Sequence, residues 1–179
     1  MIKRFGANIL INFGRLRAPI SLKDVKKERR EILRQAQAGD ILLMGAKVFF
    51  GQWLIAGTYT HSGVLDGKGG VIHAQIEHGV ERTDLKTTIR RYDRLALVRV
   101  KDFDEKELME LIESRIGAPY NFRFSWIKKK QRSFYCSQLV YWAYKNTGVE
   151  LFPMRKARYI HPSELMNSKQ VEVIYSTEN

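Results

Sequence analysis

The chain has a single cysteine, Cys136, in 179 residues. One thiol forms no intramolecular disulfide, and the multi-cysteine spacings of common zinc sites are excluded with it. Long apolar runs are also missing: the most apolar stretch, Lys47 to Tyr59, is about a dozen residues, where a membrane-spanning helix needs about twenty. That stretch reads as the lining or cover of a pocket. There is no internal repeat and no low-complexity linker. Apolar residues make up 44% and charged residues 28%, an ordinary globular balance that suggests neither a disordered chain nor an integral membrane protein. The length suits one domain with a short extension.

Acidic residues are scarce, 19 against 31 Lys and Arg, which gives a net charge of +12. The excess is local. Residues 1–35 hold ten basic side chains against three acidic ones, and Arg123 to Arg132 holds five against none. Two basic surfaces follow, and the second stands directly before Cys136. Within it Arg123, Lys130 and Arg132, together with Tyr120, are candidate walls of a substrate cleft for an acidic peptide or acyl substrate. The same charges are expected to lower the pKa of the thiol. Phe122, Phe124 and Trp126 interleave with positive charge as in single-strand binders, yet a nucleic acid is the less favoured partner.

The first twenty residues set Ile2, Phe5, Ile9, Phe13 and Leu16 at helical spacing among basic residues, a basic amphipathic helix suited to an anionic membrane surface or to packing on the domain. Its apolar centre is short and is followed by Arg-Leu-Arg, which argues against a signal peptide. A cytoplasmic or membrane-peripheral protein is the expectation. Ser21 with Asp24 resembles a capping box opening a charged helix through about Ala38, with Gly39 at its end. The division expected is an N-terminal helical extension over residues 1–38 and a catalytic domain over 39–179.

Gly39 to Met44 reads as a buried strand. Thr60 to Ala74 reads as two short strands around a glycine-rich turn. A turn centred on Gly67 makes His61 and His73 directly opposed cross-strand neighbours, able to hydrogen-bond; a one-residue slip would separate them onto opposite faces. Gly79 to Thr83 and Arg94 to Val100 continue as strands. Asp84 and Asp104 cap two helices, and Gly117 stops the second. From Cys136 the apolar residues recur at Leu139, Val140, Ala143 and Tyr144, so the thiol occupies the first turn of a helix that ends near Gly148. His161 to Leu165 reads as a helical turn, and Val171 to Tyr175 as a closing strand.

A free cysteine is most often an inert core residue. A thiol at a helix start, an imidazole to exchange its proton and a third polar group to orient that imidazole form instead a cysteine-protease arrangement. Cys136, His61 and His73 supply one of each. The backbone N–H groups of Cys136 and Ser137 are candidate oxyanion donors, and Glu77 and His78 are alternatives to His73 as the orienting group. A metal site built from His61, His73, His78 and Cys136 has suitable ligand types but lacks closely paired ligands. The expectation is that no metal or other cofactor takes part.

The segments Gly39-Asp-Ile-Leu-Leu, Thr60-His-Ser-Gly-Val, Val71-Ile-His-Ala, Gly117-Ala-Pro-Tyr-Asn and Phe134-Tyr-Cys-Ser-Gln-Leu-Val resemble the circularly permuted papain-like amidases of the NlpC superfamily, the YaeF/YiiX-like branch. The histidine strands precede the cysteine helix here, which is the permuted order. The resemblance implies an α+β papain-like fold in which an antiparallel sheet packs against helices. It implies amide hydrolysis through an acyl-enzyme, with cell-wall peptides a common substrate class, and Cys136, His61 and His73 as nucleophile, base and third residue. Permuted relatives often carry Glu at the third position. Lipid acyltransferases and thioesterases share the architecture and form the alternative reading, beside a non-catalytic basic module.

Overall fold

The computed structural model describes residues 22–45, 58–124, 131–153 and 159–178. The amphipathic segment of the first twenty residues, the capping serine at position 21, most of the apolar stretch from Lys47 and the centre of the basic run lie outside these residues. Six segments form one antiparallel sheet: β1 Ile41–Gly45, β2 His61–Leu65, β3 Gly70–Gln75, β4 Gly79–Asp84, β5 Arg94–Val100 and β6 Val171–Ser176, in the order β4-β3-β2-β1-β5-β6. The α+β architecture is thus a sheet packed against helices, as expected.

Both faces of the sheet are covered, which explains why β1 is buried at every residue instead of alternating. On one face, Ile41, Leu43, Val64, Ile72, Ala74, Ala96 and Val98 pack against α3 (Glu105–Glu113) and α4 (Cys136–Asn146). On the other, Leu42, Met44, Leu65, Val71, Leu95 and Leu97 meet Ile32 of α1 (Leu22–Gln35) and Leu85 and Ile89 of α2 (Leu85–Ile89). Helix α1 is tied down further by Arg29, whose guanidinium donates to the carbonyls of Ile89, Arg90 and Tyr92. The described part of the N-terminal extension therefore belongs to the second core.

The expected caps form. The Asp84 carboxylate accepts from Thr87 N at 2.7 Å, and that of Asp104 accepts from Glu107 N at 2.9 Å. A short last helix, α5 (Pro162–Met166), starts after His161, whose Nδ1 accepts from Ser163 N. Gly39, at φ +82°, takes a conformation that suits glycine, and a Cβ there would run into the Phe103 ring. Its carbonyl accepts from the Tyr144 hydroxyl, so this turn is locked to the far end of α4. Next to it the buried Asp40 receives both Arg99 Nε and Arg99 Nη2 at 2.8 Å, a bidentate pair joining the start of β1 to β5.

The β2–β3 register differs from the expected one by two residues. Val64 pairs with Ile72 and Leu65 with Val71, so the turn is centred on Lys68 instead of Gly67. The cause is local: the Asp66 carboxylate accepts from Lys68 N at 2.8 Å and Gly70 N at 2.7 Å, while Asp66 N donates to Gly70 O. A shift of two keeps every side chain on its face. His61 and His73 become diagonal neighbours and no longer stand directly opposite. The position across from His73 falls to Gly63, where a Cβ would come within 3.0 Å of His73 Cβ and 2.6 Å of Val71 Cγ1. Glycine at this point leaves the room in which the His73 ring sits.

Candidate active site

His61 Nε2 and His73 Nδ1 are 2.7 Å apart. The surrounding network assigns the protons. Thr88 Oγ1 donates to Asp84 O at 2.8 Å, so the one hydrogen between Thr88 and Thr83, whose hydroxyls are 2.7 Å apart, belongs to Thr83. Thr83 Oγ1 is then the acceptor for His73 Nε2–H at 2.9 Å. His73 Nδ1 is left as an acceptor, and His61 Nε2–H donates to it. The remaining nitrogen of His61, Nδ1, carries a free lone pair. Gln75 Nε2 lies 3.3 Å from His73 Nε2 but directs its strong hydrogen bond, 2.8 Å, to Glu81.

Burial controls the titration of both rings. It lowers His61 to about 4 and His73 to about 2, the latter also opposed by the charges of His61 and Arg91. The Glu81 carboxylate, 4.0 Å from His73 Nε2, would favour a cation, but it is engaged by Gln75 and half-open to solvent, and burial prevails. Tyr92 stacks on His61 with ring centroids 6.0 Å apart, covering its other side. Both imidazoles rest neutral.

A stability consequence follows with a definite sign. The unfolded histidine takes up a proton below its ordinary 6.5, whereas the folded ring does not, so this contribution to stability is full above about pH 6.5 and is lost as the pH falls toward the lowered values. For His73 alone the loss from pH 7 to pH 5 is about 2 kcal/mol, counting 1.36 kcal/mol per unit. His61 loses nearly as much over the same range, so urea denaturation at the two pH values should show the sum, and His73→Asn should remove about half of it. A pH-independent midpoint in the parent protein would contradict neutral burial of the pair.

Cys136 opens α4, is 5% exposed, and is free of disulfides. Its helix start is held from three directions. Gln138, fully buried, accepts on Oε1 from Tyr135 N at 3.3 Å and from Asn121 Nδ2 at 3.0 Å. The Gly117-to-Asn121 turn runs beside Phe134 through Phe134 N to Pro119 O and Asn121 N to Phe134 O, both at 3.0 Å. From the other side, Ser137 Oγ donates to Ile160 O at 2.5 Å and Ile160 N donates to the Tyr135 hydroxyl at 3.1 Å.

The thiol differs from expectation in its electrostatics. Burial pushes the Cys136 thiol up from its ordinary value, and the polar groups of Ser137 and Ser62 near it oppose that push. Among the described residues no basic side chain is one of the groups that move it. Arg123 and Arg132 are exposed, and Lys130 lies outside the described residues. Arg123 and Arg132, the described charges of the basic flank, thus do not activate the thiol directly, because they point into water, where screening is strong. The groups closest in electrostatic terms are phenols: burial and Cys136 itself raise Tyr120 and Tyr159, and burial raises Tyr135 to about 12, so all three stay protonated.

Glu77 and His78 are corrected as alternatives for the orienting role. Both sit in the exposed β3–β4 turn, 3.8 Å from each other, on the far side of Gln75 from the paired rings. The partners that orient His73, namely Thr83 and Thr88 with Gln75 and Glu81 near by, were not singled out from sequence. Alternation along Gly79 to Thr83 carried the signal, since Glu81 pairs directly with His73 and Thr83 follows on the same face.

The site residues divide at the first residues of β2: the structure pairs His61 with His73 and does not bring His61 against the thiol. Strand alternation puts Ser62 on the α4 side, against the thiol, and His61 on the α2 side, with His73 and Tyr92. The mouth is aromatic. Phe124, held at φ +47°, places its ring 5.4 Å from Tyr135 and 5.3 Å from Tyr159, and Tyr120 meets Phe122 at 5.1 Å. Among the described residues no group of three or more His, Cys, Asp or Glu side chains is arranged to hold a metal, and no helix is long and apolar enough to cross a membrane.

Comparison with curated protein sequences gives no match. Among solved structures the fold is similar to the crystal structure of metalloprotein yiiX from Escherichia coli O157:H7, with a TM-score of 0.65 and 21% identity over 79% of this chain and 98% of that one. At that identity the likeness speaks for the fold. A family model described as permuted papain-like amidase enzyme, YaeF/YiiX, C92 family, matches residues 35–178, which spans the whole sheet and the cysteine helix, and the chain belongs to that family.

Proposed function

We propose that the protein is a thiol-dependent amidase in which Cys136 is the nucleophile, His61 moves the proton and His73 positions His61. The observation that carries this reading is the polarised chain from Asp84 O through Thr88, Thr83 and His73 to His61, which leaves a basic nitrogen on a neutral imidazole at the start of β2, one residue before the Ser62 that lies on the side of the thiol. The resting pair is a neutral thiol and a neutral imidazole, since burial disfavours the charged form of each.

Attack then proceeds with general-base assistance. The thiol proton passes to His61 Nδ1 through a water at the start of β2, since the two groups lie on opposite sides of the strand, as the sulfur bonds to the amide carbon. The oxyanion that forms lies near the backbone N–H groups of Cys136 and Ser137, which point out of the first turn of α4, where the helix dipole favours negative charge. His61 returns the proton to the leaving nitrogen, the C–N bond breaks, and an acyl-enzyme thioester remains. Water, deprotonated by the same imidazole, releases the acid and regenerates the thiol. An acidic peptide, including one from a cell wall, suits the exposed Arg123 and Arg132 at the entrance.

A second reading, acyl transfer from a lipid or thioester, is favoured by one feature: Phe122 and Phe124 are 57% and 47% exposed at the mouth, where an apolar chain would cover them. Intact-mass analysis after incubation with muropeptides, diacyl lipids and acyl thioesters separates the two. A peptidyl adduct on Cys136 is the expected result. A fatty-acyl adduct would replace the amidase reading by the second, and no adduct from any donor would sink both.

A further inference from the structure

Ser62 is fully buried in β2, between β1 and β3. Its Oγ has no hydrogen-bond partner, it lies on the side of the strand covered by α4, and Ser62 is among the groups that favour charge on the Cys136 sulfur. A buried hydroxyl without a good acceptor is costly to keep in a resting fold. A neutral thiol is a weak acceptor, whereas a thiolate is a strong one. The cost is therefore recovered only in the state in which the sulfur carries charge.

The other hydroxyl at the sulfur is not available in the same way. Ser137 Oγ donates its hydrogen to Ile160 O at 2.5 Å, a bond that fixes the 159–161 segment against the helix start. The three phenols near by remain protonated, and Arg123 and Arg132 face solvent. Of the two serines, Ser62 is the one with an uncommitted hydrogen.

We infer that Ser62 is a catalytic hydrogen-bond donor to the nucleophile: its hydroxyl stabilises the Cys136 thiolate as the proton leaves for His61. No bond of Ser62 breaks. The thiol proton goes to His61 Nδ1, the sulfur electron pair goes to the carbonyl carbon, and the serine hydrogen stays on its oxygen while pointing at sulfur. The inference rests on Cys136 being the nucleophile, but not on which bond the enzyme cleaves.

The test is the pH profile of iodoacetamide alkylation, followed by mass, in the parent protein and in Ser62→Ala. With one cysteine in the chain, the profile reports Cys136 alone. Loss of a hydrogen bond to a charged group should move the midpoint upward by about one unit and slow alkylation at pH 7 by about tenfold. The melting temperature should be unchanged or higher, because an unpartnered buried hydroxyl has been replaced by a methyl group. An unchanged midpoint in a folded variant would overturn the inference. So would a variant that fails to fold, since the hydroxyl would then be holding the structure. Alkylation needs no substrate, so a failure to find amide turnover leaves this result standing, and an unchanged midpoint leaves the amidase reading standing.

Discussion

Alanine in place of Cys136 is expected to leave a folded protein that forms no covalent adduct and turns over its amide substrate roughly 10⁴-fold or more slowly, as when other nucleophiles of this kind are removed. Folding should survive because the cysteine packs as a small hydrophobe at the start of α4, and its loss removes one sulfur from a helix held by Gln138, Asn121 and Ile160. Circular dichroism establishes the fold, and intact mass together with product release measures the chemistry. The oxyanion donors are backbone groups and stay in place, so a small residual rate is expected from binding and positioning alone. Turnover within a factor of ten of the parent would show that the thiol is not the nucleophile and that the site works through another group.

His61→Ala should be nearly as damaging, about 10²- to 10⁴-fold in kcat/KM, because it removes the proton acceptor. The informative comparison is with His73. His73→Ala leaves His61 Nε2 without an acceptor, so the imidazole is free to take the other tautomer, with its hydrogen on the nitrogen that must stay basic. A loss of about 10²-fold or more is expected. His73→Asn returns an oxygen acceptor near the position of Nδ1 and should recover much of it. Thr83→Val, which cuts the relay one residue further out, should cost about tenfold. The acid limb of kcat/KM should fall near pH 4, the lowered value of His61, instead of near 6.5. Equal rates for His73→Ala and His73→Asn would reduce His73 to a packing residue.

The helix that carries the nucleophile was legible because its evidence is local. Leu139, Val140, Ala143 and Tyr144 recur at helical spacing from Cys136, and all are buried in α4. Asp84 and Asp104 were legible as caps for the same reason, since a carboxylate and the N–H three residues on are set by the chain itself. The pairing of His61 with His73 was legible as a shared face but not as a register. A turn with three glycines and an aspartate allows several centres, and the two hydrogen bonds to Asp66 select one of them.

The thiol environment was misjudged from sequence for a different reason. Counting Arg123, Lys128 to Lys130 and Arg132 near Cys136 along the chain says nothing of whether those charges face the sulfur or the solvent. The described ones face solvent, and burial of the thiol decides the sign of the shift. Glu77 and His78 failed in the same manner, being near His73 in sequence and turned outward in space.

Sequence alone determined the parts: one available thiol at a helix start, two histidines on one face of a hairpin, capped helices, and the permuted order of segments. These are properties of periodicity and of neighbours within a few residues, which the chain carries wherever it folds. Only the tertiary structure decided what surrounds them. The Thr83–Thr88 relay comes from β4 and α2, the uncommitted Ser62 hydroxyl is trapped by α4 lying over β2, and the raised thiol follows from the exclusion of water by segments distant in the chain. Burial and hydrogen-bond direction are sums over such long-range contacts, and they decide which of the assembled groups can do chemistry.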